Sequence, residues 1–409
     1  MPVYRPLRSA QEVVALKQAE SRLADQLLRD FPGHVNALIK KAAVCQRNGD
    51  AMEALVFLKK ALKADPRRAD VYVHMAQIAV DMGQLEQALA HYRQALRLQP
   101  PNSHVLSKLA ETFMMSGMLE EAIGALKEEI RITPGSSNAH FTLGQAYLQQ
   151  KQYPQAKESY EAAINIEPDL AGAYYGLAMV HSRLGNPDQT QAYTERFKIL
   201  KASLRQRRQQ EKTEYDDFAT AQRKAAITYM DIGHMYREQG NAQKAEDLLK
   251  QAVGLDPNNI MCMYELASLY NTNGAPMKAL HLFKKITQLQ PDHSMAHYMK
   301  GILSARLQQF DDAEVAFNTV IRLTPKKCDG YRELAGLYLK TGKNTRQARQ
   351  LAEKAVALQP SAANYFLLGW ACNSNKDRAA ALTAAKQALA LEPDNPNHQR
   401  LYKRIQLEN

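Results

Sequence analysis

Apolar residues recur along most of this chain at intervals of three and four, which is the spacing of one face of an α-helix. The stretch "AHFTLGQAYLQQKQYPQAKESYEAAINIEP" contains two such stripes in succession, separated by a short polar turn and closed by a proline. Because proline cannot continue a helix, it marks the end of the second one. The pattern predicts an all-α chain built from helix–turn–helix units.

The closing prolines divide the chain into units of nearly constant length. Five of them stand 34 residues apart, and after a gap of 89 residues five more follow at spacings of 34, 34, 35 and 33. They are Pro32, Pro66, Pro100, Pro134, Pro168, Pro257, Pro291, Pro325, Pro360 and Pro393. The spacing predicts about ten repeats, half of them on each side of an interruption.

Small side chains occupy fixed places when each unit is numbered so that its closing proline is position 32. Position 8 is alanine or glycine in every unit, and position 20 is alanine in all units but one, which has Thr190. Position 24 is often large, as in Tyr92, Tyr160 and Phe317. This complementarity predicts that the two helices of a unit cross closely. Glycine at position 15 in most units predicts the turn between them.

The arrangement resembles the tetratricopeptide repeat, whose signature has small residues at positions 8, 20 and 27, a large residue at 24 and proline at 32. "MYELASLYNTNGAPMKALHLFKKITQLQP" is another good match. The resemblance covers residues 35–395 apart from the interruption, and it implies a right-handed α-solenoid. The pentatricopeptide repeat, an RNA-reading relative of 35 residues, fits less well because 34 is the dominant period.

The ends of the chain and the interruption define five segments. We expect an N-terminal segment and capping helix at 1–34, five repeats at 35–200, an inserted extended helical hairpin at 201–225, five further repeats at 226–395 and a C-terminal capping helix at 396–409. The capping box Ser9-Ala10-Gln11-Glu12 begins the first helix, with Leu23 and Leu27 turned inward. Asn395-Pro396 begins the last helix. Such helices cover the apolar ends of an open array.

The interruption reads as two lengthened helices folded back on each other, with a turn near residues 209–213. Its helix-forming composition argues against a flexible linker. The tip predicts a secondary basic surface formed by Arg205, Arg207, Arg208 and Lys212. Acidic neighbours favour a solvated helix end over a phosphate-binding tip.

Composition and charge narrow the chemistry. The net charge of +11 permits contact with nucleic acid or anionic lipid without requiring it. The four cysteines form no CxxC pair, and His293 and His297, although four apart, are split between a loop and a helix. We therefore expect no metal site and no cofactor. No apolar run approaches the ~18 residues of a membrane span. Without a signal peptide at its start, the chain as written is expected in the cytoplasm, or in the periplasm or envelope if a leader was removed.

The resemblance implies that positions 2, 5, 9 and 12 of each first helix line a concave groove. From about residue 141 onward these positions are rich in aromatic residues and methionine, which adapt to a partner's side chains. The candidate partner-binding residues are Phe141, Tyr175, Met230, Tyr264, Tyr298, Phe366 and Trp370. The alternative is that the aromatic residues at position 5 only pack between neighbouring helices.

The sequence contains no catalytic constellation, so we expect a scaffold that binds a peptide or partner protein in the groove and is not an enzyme. Position 5 is never lysine, position 9 is never asparagine, and position 6 carries no asparagine ladder. Side-chain packing would therefore have to carry recognition. Two alternatives stay open: a nucleic-acid-binding repeat protein that uses its basic surface, and an accessory subunit of a bacterial envelope or secretion complex. The oligomeric state is not predicted.

Overall fold

A computed structural model describes the backbone of residues 10–212 and 217–407, and the side chains of 11–206 and 218–407. In these ranges the chain forms 22 α-helices and no strand, which confirms the all-α class. The first helices of the ten repeats are the even-numbered ones from α2 to α20, and the second helices are the odd-numbered ones from α3 to α21. The repeat fold is also confirmed.

The N-terminal helices are α1 Ala10–Asp30, α2 Val35–Asn48, α3 Ala51–Ala64, α4 Ala69–Asp81, α5 Leu85–Leu98, α6 Ser103–Met115, α7 Leu119–Ile132, α8 Ser137–Gln149, α9 Tyr153–Ile166, α10 Ala171–Arg183 and α11 Pro187–Lys212. The later helices are α12 Asp217–Glu238, α13 Ala242–Leu255, α14 Ile260–Thr272, α15 Pro276–Leu289, α16 Ser294–Arg306, α17 Phe310–Leu323, α18 Asp329–Thr341, α19 Thr345–Leu358, α20 Ala362–Ser374, α21 Arg378–Leu391 and α22 Pro396–Leu407.

The repeated small and large residues form the core of each helix pair. All nine alanines at position 20 are completely buried, as are the large residues at position 24. A Cβ atom placed on Gly144 would lie 2.7 Å from Cδ1 of Tyr160, and one on Gly301 would lie 2.7 Å from Cδ1 of Phe317. Here position 8 is glycine because the aromatic ring of the second helix occupies the space of a side chain.

Position 15 turns the chain between the two helices in the left-handed conformation. The seven glycines at this position all have positive φ, for example 73° at Gly83. Where glycine is missing, Lys151, Gln308 and Lys376 adopt the same conformation, with φ of 63°, 59° and 63°. The turn geometry is therefore imposed by the repeat, even where it is unfavourable for the residue that occupies it.

In several units a tyrosine or histidine at position 4 bonds to the carbonyl oxygen of the preceding closing proline. The hydroxyl of Tyr174 donates to the Pro168 carbonyl at 3.1 Å, and that of Tyr331 donates to the Pro325 carbonyl at 3.3 Å. His297 Nε2 lies 3.0 Å from the Pro291 carbonyl in the same arrangement. Because the second helix has ended at this point, the bond serves a carbonyl that the helix leaves unpaired.

Both terminal helices contribute to the adjacent core. Leu23 and Leu27 of α1 are buried, as predicted, whereas Ser9 of the capping box lies outside the described residues. In α22, Ile405 is completely buried, and Leu401 and Tyr402 pack beside it. The last helix therefore covers the apolar surface of the tenth repeat.

The chain divides into two compact units, Met1–Thr228 and Tyr229–Asn409, with the boundary inside α12. Helix α11 continues to Lys212, so residues 209–212 are helical instead of forming the predicted turn. The rest of the predicted turn lies outside the described residues. The limits of the inserted hairpin, 201–225, stay a prediction, although α11 and α12 are both longer than the helices of a regular repeat.

The fifth repeat lacks the apolar surface on which a regular next repeat would stack. Position 28 is a half-buried apolar residue in the first four repeats, as in Ile130 and Ile164. In the fifth repeat it is Lys198, which is exposed and pairs with Glu195 at 3.4 Å. A polar pocket of about 450 Å³ lies here, lined by Thr190, Thr194 and Lys198 among others. These polar residues account for the interruption at this point.

The start of α12 belongs to the N-terminal unit. Ala225 and Ala226 are completely buried, and the Thr228 hydroxyl donates to Glu20 Oε1 of α1 at 2.7 Å. Arg47 of α2 donates to the same oxygen at 3.0 Å and also to the Thr228 hydroxyl. The chain therefore returns to its first helices after the fifth repeat.

Candidate functional site

The predicted groove residues are divided between the two units. Phe141 and Tyr175 lie in the N-terminal unit, and the other five lie in the C-terminal unit. Each unit consequently presents its own inner face, formed by its first helices.

In the N-terminal unit, Phe141 packs within the protein and Tyr175 is open to a partner. The Phe141 ring lies 5.9 Å from that of Tyr160 and occupies the space beside Gly172 in the next repeat. Tyr175 is 51% exposed, although its ring contacts that of Phe197 at 5.2 Å. Only the second residue therefore offers substantial apolar area.

The earlier repeats of this unit form a largely apolar pocket of about 320 Å³ between α4 and the start of α6, with a few polar side chains in its lining. Asp70 and His74 line it, and Arg68 donates to Asp70 at 2.6 and 2.9 Å. Burial opposes ionisation of Asp70, but the Arg68 guanidinium lowers the pKa of the carboxyl below its ordinary value. Burial also lowers the pKa of His74. The pocket therefore places an imidazole whose protonated form is disfavoured by burial beside a carboxylate that is ion-paired with Arg68.

In the C-terminal unit, the position 5 tyrosines each contact the next repeat. The Tyr264 ring is edge-on to Phe283 at 5.6 Å and stacked on His293 at 6.5 Å. The Tyr298 hydroxyl donates to Glu333 Oε1 at 3.3 Å. Both rings are half-buried, so packing between repeats accounts for part of their surface and the remainder is accessible.

Methionines at position 2 are the most exposed apolar residues of this inner face. Met261 is 61% exposed and Met295 is 50% exposed, each one turn before a position 5 tyrosine on the same helix. Met230 of α12 is half-buried. Met261 and Tyr264 on α14 and Met295 and Tyr298 on α16 occupy the same two positions of neighbouring first helices, and this set of apolar side chains is named here the methionine face.

Two charged clusters flank the methionine face. On one side, Glu265 Oε2 lies 3.0 Å from Arg237 Nη1 and 3.2 Å from His234 Nδ1. On the other side, Arg332 Nε donates to Glu333 at 3.1 Å. Burial opposes ionisation of Arg332, but the Glu333 carboxylate raises its pKa above the ordinary value. In each cluster the positive and negative side chains pair with each other. The methionine face is therefore bounded by charges that are already neutralised by a neighbour.

The remaining two candidates lie at the far end of the unit. The Phe366 ring contacts that of His398 in α22 at 5.3 Å. Trp370 is half-buried and packs on the core cluster of the ninth repeat, which includes Leu339 and Leu367. Trp370 is therefore held by the core on one side and accessible on the other.

The predicted basic surface is described only at Arg205, which is exposed on α11. The side chains of Arg207, Arg208 and Lys212 lie outside the described residues. The secondary basic surface therefore stays a prediction.

His293 and His297 have structural roles in the described part of the chain. His293 Nδ1 accepts from the Ala296 amide at 3.1 Å and so caps α16, while His297 bonds to the Pro291 carbonyl. Among the described residues, no group of three or more His, Cys, Asp or Glu is placed to hold a metal ion. No helix in the same ranges combines the length and apolarity of a membrane span.

Sequence reasoning missed the functional potential of several neighbours of the predicted groove. The repeat pattern does not predict the pairing of Arg237 with Glu265, because the two residues belong to different repeats and no other repeat has the same pair. Nor does the pattern distinguish Gly336, at position 9 of the ninth repeat. A helical glycine with no large residue opposite it is the signal that could have drawn attention to it.

The geometry defines a class of helical-repeat proteins with exposed inner faces, and sequence comparison assigns the family. Models described as "TPR repeat" and "Tetratricopeptide repeat" match residues 144–185, and 46–111, 79–140, 236–303 and 332–396, respectively. The chain belongs to the tetratricopeptide-repeat superfamily, whose members serve generally as protein-interaction scaffolds. The matches stop at 185 and resume at 236, on either side of the interruption. All the matched families are repeat families, and none of them is an enzyme family.

Solved structures of repeat proteins resemble parts or most of the chain. A crystal structure of MamA is 26% identical, with 45% of this chain and 96% of that chain covered and a TM-score of 0.39. Yeast Tom70 is 17% identical, with 91% and 95% covered and a TM-score of 0.37. YrrB, described as a TPR protein with an unusual peptide-binding site, is 16% identical, with 59% and 95% covered and a TM-score of 0.35. No curated protein matches significantly. The family assignment rests on the repeat models, because all three TM-scores are low.

Proposed function

We propose that the protein is a non-enzymatic scaffold that binds a peptide segment of a partner protein on the methionine face of its C-terminal unit. The observation that carries the proposal is the exposure of Met261 and Met295, 61% and 50%, beside two half-buried tyrosines. Exposed large apolar side chains that recur at one position of neighbouring helices are candidates for a contact site. Methionine suits such a site because its flexible thioether side chain adapts to different partners.

The geometry favours an extended or helical segment over a small molecule. The face is open and spans α14 and α16, whereas a small ligand usually requires an enclosed cavity. The charged clusters around Glu265 and Arg332 limit it on two sides. A peptide with apolar side chains would fill the methionine face and leave these paired charges in water.

A charge placed on the methionine face tests the proposal. In the double variant Met261→Glu with Met295→Glu, the carboxylates would be buried by a bound partner, so capture should fall strongly. The control is Met277→Glu, because Met277 is 60% exposed on the second helix α15 of the same unit. Partners captured from the source cell by each variant would be compared by quantitative mass spectrometry after confirming equal thermal stability. Equal capture by the double variant and the wild type would contradict the proposal.

The two alternative functions, nucleic-acid binding and membership of an envelope or secretion complex, predict different experimental results. A nucleic-acid-binding scaffold would retain RNA or DNA on a filter at low salt and lose it steeply as salt is added. An envelope or secretion subunit would capture proteins of that complex. Retention of RNA or DNA would not depend on Met261 and Met295, so the variants above separate nucleic-acid binding from peptide binding on the methionine face, whereas the identity of the captured proteins distinguishes an envelope or secretion subunit.

A further inference from the structure

Gly336 is the one glycine in the first helices of the C-terminal unit that packing does not require. A Cβ atom at this position would meet only Cδ1 of Leu367, at an ordinary distance of 3.9 Å. At Gly301 the corresponding atom would lie 2.7 Å from Cδ1 of Phe317, and at Gly369 it would lie 3.3 Å from the Ala385 amide nitrogen. Glycine inside a helix is less stable than alanine, and no neighbouring atom of the fold requires it at 336.

The surroundings of Gly336 form an apolar notch. Gly336 occupies position 9 of the ninth repeat, and the same position holds Ile302 in α16 and Trp370 in α20. Both of these side chains are half-buried and pack on one core cluster, which also contains Leu367. The missing side chain leaves an open space at this position of the inner face, because a Cβ atom there would meet only Leu367 Cδ1 within 4 Å. This gap, bounded by Ile302, Gly336, Leu367 and Trp370, is named the Gly336 notch.

The rim of the notch is basic. Arg306 and Lys340 lie one helical turn beyond Ile302 and Gly336, respectively, and both are exposed. Neither forms an ion pair within the described side chains. The nearest carboxylate on α18, Glu333, already accepts bonds from Arg332 and Tyr298. The apolar gap therefore has two unpaired positive charges on one side.

We propose that the Gly336 notch receives one large apolar side chain of a partner peptide whose neighbouring residues are acidic and face Arg306 and Lys340. The inference deepens the proposed scaffold function by naming the chemistry of the bound segment. The apolar side chain would cover Ile302 and Trp370, and the acidic neighbours would give the site its selectivity. A basic peptide would be repelled by the same rim.

Trp370 supplies a direct readout because it is the only tryptophan of the chain. The probes are three unlabelled pools of 12-residue peptides with a fixed central Phe and acidic, neutral or basic flanks. The acidic pool should shift Trp370 emission to the blue in a saturable way as the ring loses contact with water. The neutral and basic pools should bind more weakly, in that order.

A larger side chain at position 336 should change peptide affinity and thermal stability in opposite directions, which distinguishes an effect on binding from an effect on folding. Gly336→Leu should raise the thermal stability, because a helical glycine is replaced. It should also lower the affinity for the acidic peptide pool about ten- to a hundredfold, because the new side chain fills the space that the bound side chain would occupy. The matched control is Gly254→Leu, since Gly254 is exposed on α13 with nothing within 4 Å of a Cβ atom. It should gain stability and bind as the wild type does. Arg306→Glu with Lys340→Glu should reverse the preference towards the basic pool.

The notch proposal and the methionine-face proposal are contradicted by different results. No Trp370 response to the acidic pool, unchanged binding by Gly336→Leu, or equal binding of the acidic and basic pools would each overturn the notch proposal. Partner capture that still depends on Met261 and Met295 would then leave the scaffold function standing. Conversely, a Trp370 response lost in Gly336→Leu, with capture indifferent to the two methionines, would retain the notch and reject the methionine face.

Discussion

The hydroxyl of Thr228 donates a hydrogen bond to Oε1 of Glu20 at 2.7 Å, although the two residues are 208 positions apart. Glu20 is only 5% exposed, and Arg47 donates to the same oxygen at 3.0 Å. A buried carboxylate is stable only when such donors replace its water. The bond therefore fixes the start of α12 to α1 within the N-terminal unit.

Removing the Thr228 hydroxyl should loosen this attachment. We expect Thr228→Val to lower the free energy of unfolding of the N-terminal unit by about 1–3 kcal/mol, because the Glu20 carboxylate loses a donor where water cannot replace it. Hydrogen exchange should increase in peptides that cover residues 218–228. The two single variants Thr228→Val and Glu20→Gln should be non-additive when combined.

A control for this pair is Ser21→Ala, which removes the bond that Asn48 Nδ2 donates to the Ser21 hydroxyl at 3.0 Å. That bond joins α1 to α2 without reaching α12. Exchange in 218–228 should therefore be unchanged in the control. Additive single variants would show that Glu20 and Thr228 are not coupled.

Gly144 is expected to tolerate no side chain. A Cβ atom there would lie 2.7 Å from Tyr160 Cδ1, and Tyr160 is fully enclosed by its core cluster. Gly144→Ala should therefore destabilise the unit by about 1–3 kcal/mol, the usual effect of overpacking. Urea unfolding measures the change. Gly124→Ala, at an exposed helical glycine with nothing nearby, should instead stabilise by about 0.5–1 kcal/mol. The same sign for both variants would contradict this account.

The repeat core could be predicted from sequence because its contacts are local. Apart from the start of α12, the core contacts of each repeat lie within it or with its neighbours, so a small residue such as Ala313 and the large Phe317 recur in one register that the chain itself displays. The pattern fixes which residues face inward, and both of these are buried. The closing prolines likewise mark the ends of the second helices, as in α9, which ends at Ile166 two residues before Pro168.

The candidate site could be predicted only in outline. Position 5 places a side chain on the inner face, but its exposure depends on a residue of the next repeat that has no fixed identity. Tyr175 remains 51% exposed, whereas Tyr264 is partly covered by His293 and Tyr298 by Glu333. The bond between Glu20 and Thr228 joins elements outside the repeat register, so periodicity carries no information about it.

Acid should destabilise both units through buried histidines. Burial lowers the pKa of His74, His91 and His181 in the N-terminal unit and of His297 in the C-terminal unit below the ordinary value of 6.5. The unfolded chain then binds protons more readily, so this part of the stability is present above about pH 6.5 and is lost as the pH falls towards the folded pKa values. Each unit of pKa difference corresponds to about 1.4 kcal/mol.

His181 provides the sharpest test of this acid effect. Its ring is buried, its Nε2 has no hydrogen-bond partner among the described residues, and its pKa is lowered first by burial and then by Lys157. His181→Leu should make the urea midpoint of the N-terminal unit less sensitive to pH between 7.5 and 5.5. An unaltered slope in His181→Leu would exclude this histidine as a source of acid sensitivity.

The cysteines should report the opening of each unit separately, because all four are buried in the described structure. Burial raises the pKa of Cys45 to about 11 and that of Cys262 to about 12, so almost no reactive thiolate is present at pH 8. Iodoacetamide should leave the native protein unmodified, while an exposed control thiol in Ala363→Cys should react readily. In increasing urea, Cys45 labelling follows the N-terminal unit and Cys262 labelling follows the C-terminal unit. Thr228→Val should therefore shift the midpoint for Cys45 to lower urea and leave that of Cys262 in place, whereas rapid labelling of either thiol without urea would contradict the packing around it.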